Sequence, residues 1–188
     1  MASQGRYWSR EELFAYQELV RTSPKHQRGV VRVHARKLEG KKSEAMIRQH
    51  RIIADEPAAR GGKDEAPTPL EVFLAGVALS TTHTAALVAR EMDIPYETLE
   101  VRARAYFDRR GIMDIDGVSS AFQEVLCEIH INSLADAIAI RELGKAVERR
   151  CVPLNTLKTA VQVVYRVVHN SRAVIGDETV GQEPEGTI

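Results

Sequence analysis

The sequence predicts an antiparallel α+β fold. The predicted elements follow in the order helix, two strands, long helix, two strands, helix and strand. Strands that come in neighbouring pairs form hairpins, and hairpins favour an antiparallel sheet over a doubly wound parallel one. The 188 residues fit one domain, and a chain of this length buries roughly 70% of its unfolded surface, so its core needs neither disulfides nor a metal.

The chain divides into three segments of different character. Ser9 and Glu12 have the spacing of a capping box at the start of a first helix, which Pro24 ends. The end of the chain is polar and contains glycine and proline, which indicates a flexible tail. The predicted organisation is therefore a helical extension, one α+β domain and a tail: residues 1–25, 26–169 and 170–188.

Two extended runs open the main domain. Residues 29–38 are rich in β-branched side chains, and a turn at 39–42 leads into a second run at 45–54. This pair is predicted to form a hairpin. Residues 55–67 are rich in glycine, proline and acidic side chains without periodicity, which predicts a loop.

The start of the long helix is the clearest local signal in the sequence. Thr68 is the predicted N-cap, Pro69 occupies the first helical position, and Glu71 completes a capping box. The helix is predicted to run to about Met92, before the Asp93-Ile94-Pro95 segment. Its apolar stripe contains five side chains: Phe73, Leu74, Val77, Leu87 and Val88.

A second pair of strands follows the long helix. Residues 99–107 and 122–131 alternate as strands, and the second run carries Cys127 on its apolar face. A free cysteine in that setting behaves as a small hydrophobic residue.

A second helix and a last strand complete the domain. Ser133 is the predicted cap of a helix over residues 134–150, which Pro153 is predicted to end. A valine-rich run at residues 160–168 predicts the last strand.

Composition argues against several classes of protein. The 26 Lys and Arg residues balance 26 Asp and Glu residues, whereas nucleic-acid and acidic-membrane binders need a basic surplus. The run at 70–88 is interrupted by polar residues and predicts a buried helix, so no membrane association is expected. Two cysteines and the lack of a signal-peptide pattern predict a cytoplasmic location. Without a paired-histidine, glycine-rich phosphate or dinucleotide motif, no metal or cofactor is expected.

The long helix carries hydroxyls within its apolar stripe. Ser80, Thr81 and Thr84 should form a polar dent in the core, unless each hydroxyl bonds to a carbonyl one turn earlier. His83 lies three residues after Ser80 and is a candidate to orient a hydroxyl. A Ser80–His83 pair acting in acyl transfer is a weaker hypothesis, because such a pair on one helix rarely reaches attack geometry.

Cys151 is the candidate partner of this dent. It follows Leu143 and Val147 at steps of four, so it lies on the same face and approaches Ser80 if the two helices pack together. Its place at a helix C-terminus disfavours the thiolate through the helix dipole, an effect that Arg149 and Arg150 partly offset. Cys151 is therefore predicted to be a resolving or structural thiol rather than a primary nucleophile.

Several of these segments resemble the signature of the OsmC/Ohr family of osmotically inducible and organic hydroperoxide resistance proteins. The resemblance covers about residues 29–168, and two separate motifs fall at the expected ends of two helices. The first motif comprises Asp55-Glu56-Pro57, Gly61-Gly62-Lys63-Asp64, Pro67-Thr68-Pro69-Leu70-Glu71 and Phe73-Leu74-Ala75-Gly76, and the second is Cys151-Val152-Pro153-Leu154-Asn155-Thr156-Leu157.

The resemblance implies an intertwined homodimer with antiparallel sheets around two central helices. Active family members reduce organic hydroperoxides: a cysteine on the first central helix becomes a sulfenic acid, a second cysteine resolves it as a disulfide, and a dithiol restores the enzyme. In this sequence Ser80 stands at the position of the attacking cysteine and Leu70 at that of a supporting glutamate, whereas Cys151 matches the resolving cysteine. Arg32 and Arg36 are candidates for the catalytic arginine.

Serine cannot enter the thiol oxidation sequence, so the two-cysteine peroxidase cycle is not expected here. Two functions remain open. One is an altered thiol peroxidase that uses Cys151, alone or with Cys127. The other is a non-catalytic module that binds a small apolar or acyl ligand at the dimer interface, in the dent lined by Ser80, Thr81 and Thr84.

Overall fold

The computed structural model describes residues 8–170 and 172–176. They belong to two compact units, one of residues 32–155 and one built from the segments before and after it. Every strand pair among these residues is antiparallel, in agreement with the predicted fold class.

The unit of residues 32–155 begins with a three-stranded antiparallel sheet. Its strands follow one another in space as in sequence: β1 (His34–Lys37), β2 (Ser43–Ile47) and β3 (His50–Ala54). The prediction of a two-stranded hairpin was wrong in the second strand, because the chain reverses within the run at 45–54. Arg48 adopts φ of 55° in the turn, and Ile47 pairs with His50 directly after it.

The loop that follows β3 is held by Asp55, whose side chain is almost fully buried. One of its carboxylate oxygens accepts the backbone N–H groups of Lys63 and Glu65 at 3.1 and 3.2 Å. At Gly62 a Cβ would lie 1.7 Å from the carbonyl oxygen of Glu56, so only glycine fits this close approach. These contacts fix the segment that leads into the long helix.

The long helix, α3 (Pro69–Glu91), begins as the sequence predicts. Thr68 Oγ1 accepts the N–H of Glu71 at 3.3 Å, and Glu71 Oε2 accepts the N–H of Thr68 at 2.6 Å. Among the described residues α3 is the one helix long and apolar enough to cross a membrane, a test that core helices of folded domains also pass. Its buried residues pack against other elements of the same unit.

One of these elements is the second sheet, formed by β4 (Thr98–Phe107) and β5 (Phe122–Asn132). A short helix, α4 (Arg109–Ile112), lies in the connection between the two strands. The pairing sets Cys127 opposite Ala103. Half-buried and exposed side chains alternate along β4 as predicted, whereas β5 alternates only from Cys127 onward.

The second long helix, α5 (Ala137–Arg150), starts later than predicted. Its N-cap is Asp136, whose Oδ1 accepts the N–H groups of Ile138 and Ala139, and not Ser133, which bonds to Ala135 and Pro95 instead. The core of the unit lies where α5 meets α3. Its buried members are Ala85, Val88, Ala89, Ile94, Leu143, Val147 and Cys151.

Pro153 does not end α5, contrary to the prediction. The helix ends at Arg150 with Cys151 as its C-cap, and Pro153 lies in the first turn of a further helix, α6 (Val152–Lys158). A proline is tolerated there because the first helical N–H groups have no partner within the helix. Cys151 therefore joins two helices.

The other unit contains α1 (Arg10–Thr22) and α2 (Pro24–Gln27). The capping box of Ser9 and Glu12 is confirmed. The last strand is much shorter than predicted: β6 (Val167–His169) pairs with β7 (Arg172–Ile175), which lies in the segment predicted as a flexible tail. The rest of that predicted tail, from residue 177, lies outside the described residues.

Candidate active site

Three hydroxyls of α3 point to one place in the core. Thr81 has no exposed surface, and Ser80 and Thr84 are half-buried. Thr81 Oγ1 donates to the carbonyl oxygen of Val77 at 2.9 Å, and Thr84 Oγ1 donates to that of Ser80 at 2.8 Å. The bonding to a carbonyl one turn earlier is thus observed for both threonines.

The thiol of Cys151 lies against these hydroxyls and is itself fully buried. Its Sγ is 3.4 Å from Thr81 Oγ1 and 3.8 Å from Ser80 Oγ. The packing of α5 on α3 thus brings Cys151 and Ser80 together, as their positions on the two helix faces predict. The Cys151 thiol therefore fills the polar dent in the apolar stripe of α3.

This environment lowers the pKa of Cys151. Burial by itself raises the pKa of a thiol, but hydrogen bonds with Thr81, the backbone N–H of Leu154, Ser80 and Thr84 outweigh it. Since the pKa is lower in the folded chain, the thiolate stabilises the fold above the unfolded-state pKa. That contribution is lost as the pH falls through the folded-state pKa.

The expectation that the helix dipole disfavours the thiolate therefore needs correction. It treated Cys151 as the last residue of one helix, whereas Cys151 also precedes α6, whose Leu154 N–H points at the sulfur. Arg150 does not serve the thiol either, because its guanidinium binds the carboxylate of Glu91 at the end of α3.

Asn155 holds the junction of α5 and α6 in place. Its side-chain amide donates to the carbonyl oxygens of Glu148, Arg149 and Cys151 at 3.0, 3.2 and 2.9 Å. It thereby satisfies carbonyl groups that a helix end leaves without partners. The sequence reasoning missed this role, although Asn155 belongs to the motif that begins at Cys151.

Cys127 also reaches the site, which the sequence reasoning did not foresee. Its half-buried side chain projects from β5, and its Sγ lies 3.8 Å from Thr81 Oγ1. Thr81 therefore contacts both cysteines of the chain.

Other candidate residues lie apart from this cluster. His83 is exposed, and no hydrogen bond joins it to Ser80. Arg36 Nε binds Glu44 at 2.5 Å, a buried carboxylate that Arg51 contacts from the other side. Within the described residues, no group of three or more His, Cys, Asp and Glu side chains is arranged to hold a metal.

Replacing Thr81 by valine should raise the pKa of Cys151, because the largest hydrogen-bond contribution to the thiolate is lost while burial is kept. The measurement is the ultraviolet absorbance of the thiolate against pH, in a Cys127→Ser background that leaves one thiol. Thr82→Val is the matched control, since the Thr82 hydroxyl bonds to Ala78 and does not face the sulfur. Equal titration midpoints in the two variants would contradict this assignment.

The chain is similar to proteins of known structure. The sequence profile described as OsmC-like protein matches residues 62–166. An OsmC-like protein from Mycoplasma pneumoniae is 22% identical with a TM-score of 0.62, over 70% of this chain and 89% of that one. An organic hydroperoxide resistance protein OsmC from Legionella pneumophila is 17% identical with a TM-score of 0.54, over 69% and 90%.

A third structure, an organic hydroperoxide resistance protein from Elizabethkingia anophelis, is 16% identical with a TM-score of 0.52, over 72% and 92% of the two chains. Identities this low establish the fold alone. A comparison with curated proteins finds no match. The profile covers more than half of the sequence and the neighbours share its fold, so the chain belongs to the OsmC-like protein family.

Proposed function

We propose that the protein is a thiol-dependent reductase of organic hydroperoxides in which Cys151, rather than residue 80, is the attacking thiol. The observation that carries this proposal is the place of the Cys151 sulfur, 3.4 Å from Thr81 Oγ1 and 3.8 Å from Ser80 Oγ, where hydrogen bonds lower the pKa of the thiol. Only the thiolate attacks a peroxide, so a thiol that ionises more readily is the better candidate. Ser80 has no thiol, and its hydroxyl is a hydrogen-bonding neighbour of the Cys151 sulfur.

The reaction follows from these contacts. The Cys151 thiolate attacks one peroxide oxygen, so that an S–O bond forms as the O–O bond breaks. The departing alkoxide takes a proton and leaves as an alcohol, and Cys151 becomes a sulfenic acid. The Ser80 hydroxyl, half-buried and 3.8 Å from the sulfur, is placed to donate a hydrogen bond to the developing alkoxide. A dithiol reductant then returns Cys151 to the thiol and releases water.

Access to the sulfur requires a small movement. Cys151 is fully buried, but Ser80 beside it is half-buried, so the thiol lies about one side chain below the surface. Cys151 has an extended backbone between two helices, with φ of −73° and ψ of 109°. A shift at this junction exposes the sulfur without unfolding either α3 or the body of α5.

The alternative of an acyl-binding module receives less support. It needs an open dent between Ser80, Thr81 and Thr84, and the Cys151 side chain occupies that space. Acyl transfer by Ser80 is disfavoured as well, because exposed His83 does not contact its hydroxyl.

Turnover of cumene hydroperoxide with dithiothreitol tests the proposed function. The wild-type chain should turn over, and Cys151→Ser should lose about 100-fold or more because an alcohol replaces the thiolate nucleophile. Thr82→Val is the control and should keep its rate.

Ser80→Cys distinguishes the family's chemistry from the chemistry proposed here. If the wild type is inactive and only Ser80→Cys turns over, the reaction was lost at residue 80 and the proposal is wrong. Full activity of Cys151→Ser would contradict it as well.

We further propose that the protein acts as a cytoplasmic homodimer. Three apolar side chains of α3 that precede the site are exposed in the single chain, Leu79 by 70% of its surface. The others are Leu70 and Phe73, and Phe73 belongs to the stripe predicted to be buried. Exposed apolar side chains on the helix that carries the site are typical of a subunit interface, as the family resemblance implies. The balanced charge of the chain supports the absence of nucleic-acid and membrane partners.

Leu79→Glu should convert the dimer to a monomer, because it places a charge within the apolar contact. Light scattering coupled to size exclusion gives the mass directly. Leu134→Glu is the control, since Leu134 is an equally apolar, exposed residue that lies outside α3. A wild-type chain that is monomeric at micromolar concentration would refute the dimer.

A further inference from the structure

Cys127 is a second thiol at the site that the proposed reaction does not use. It projects from the middle of β5, and its Sγ lies 3.8 Å from Thr81 Oγ1. Cys151 Sγ lies 3.4 Å from the same oxygen. The two sulfurs are therefore no more than the sum of these distances apart, about 7 Å. In a chain with two cysteines, this places both at one hydroxyl.

We infer that Cys127 resolves the sulfenic acid formed on Cys151, giving an intramolecular Cys127–Cys151 disulfide. The inference rests on the proposed function for its first step. It assigns the resolving role to a β-strand residue and the attacking role to the helix-junction residue.

The step balances without a further oxidant. The organic hydroperoxide oxidises the Cys151 thiolate to a sulfenic acid and is reduced to an alcohol. The Cys127 thiol loses its proton and attacks the Cys151 sulfur, so that an S–S bond forms, the S–O bond breaks and the hydroxide takes the proton and leaves as water. A dithiol of the solution then reduces the disulfide by exchange and is itself oxidised to a disulfide.

The geometry indicates which cysteine moves. A disulfide needs its sulfurs about 2.05 Å apart, so they must approach from their present positions. Cys127 is held in the ladder between β4 and β5, opposite Ala103. Cys151 lies between two helices and is followed by a helix of only seven residues. We therefore expect Cys151 to move toward β5.

This movement has a consequence of its own. It carries the Cys151 sulfur away from the Leu154 N–H and strains the contact between the Asn155 amide and the Cys151 carbonyl. The oxidised chain should therefore exchange the backbone hydrogens of α6 faster than the reduced chain does. The hydrogens of β4 and β5 should be protected equally in both states.

The test treats reduced protein with one equivalent of cumene hydroperoxide, in the presence or absence of dimedone to trap sulfenic acid. Peptide mass spectrometry then identifies the products. In the wild type, a Cys127–Cys151 disulfide should form and little dimedone adduct should remain. In Cys127→Ser, the adduct on Cys151 should accumulate. Cys127→Ala, checked for folding by circular dichroism, is the second variant if the serine variant does not fold.

The outcomes separate this inference from the proposed function. Equal dimedone adduct on Cys151 in the wild type and both variants would leave the peroxidase proposal standing and overturn the role of Cys127. A disulfide between two chains, seen as a dimer on a non-reducing gel, would overturn it as well.

If the peroxide does not oxidise Cys151, the proposed function is wrong. In that case diamide, which oxidises thiol pairs without peroxide, tests the pair alone. If diamide produces a Cys127–Cys151 disulfide, the assignment of the two thiols as a redox pair is supported. If it does not, that assignment is wrong as well.

Discussion

The contact between the Cys151 thiol and the hydroxyls of α3 is the interaction on which the rest of the site depends. It joins the two long helices in the core and fills the polar dent that the α3 hydroxyls form in the apolar stripe. The hydrogen bonds that hold the sulfur also favour its charged form and outweigh the cost of burial. Packing and reactivity thus have one physical origin.

In the proposed mechanism the serine at position 80 is a polar neighbour of the attacking thiol and not a nucleophile. The Ser80 hydroxyl occupies nearly the volume of a thiol, and its oxygen lies 3.8 Å from the Cys151 sulfur. A cysteine there would compete with Cys151 for the peroxide, whereas a serine can only donate to or accept from it. The proposed attacking thiol is that of Cys151, at the end of α5, instead of a side chain of α3. Thr81 contacts the sulfurs of both Cys151 and Cys127.

The sequence best predicts the elements whose formation depends only on local signals. The capping box at Thr68 and the periodicity of α3 predicted that helix to within a residue at each end. The chain reversal at Arg48 was not predicted, because it needs a positive φ and residues 45–54 contain no glycine, the residue that usually indicates one. Pro153 was misinterpreted because a proline that ends one helix and a proline in the first turn of the next look alike in sequence. The approach of Cys127 to Thr81 joins residues 46 positions apart, so only the packed structure reveals it.

The most direct test of the central claim is the single-turnover rate of Cys151 oxidation by cumene hydroperoxide across a range of pH, measured in Cys127→Ser with glutathione as the reference thiol. The account predicts a rate above that of glutathione at neutral pH. It also predicts that the rate falls with decreasing pH through a midpoint below the ordinary pKa of a cysteine, because the lowered pKa keeps more of the thiol ionised. A rate at or below that of glutathione at every pH would contradict the assignment of Cys151 as the attacking thiol.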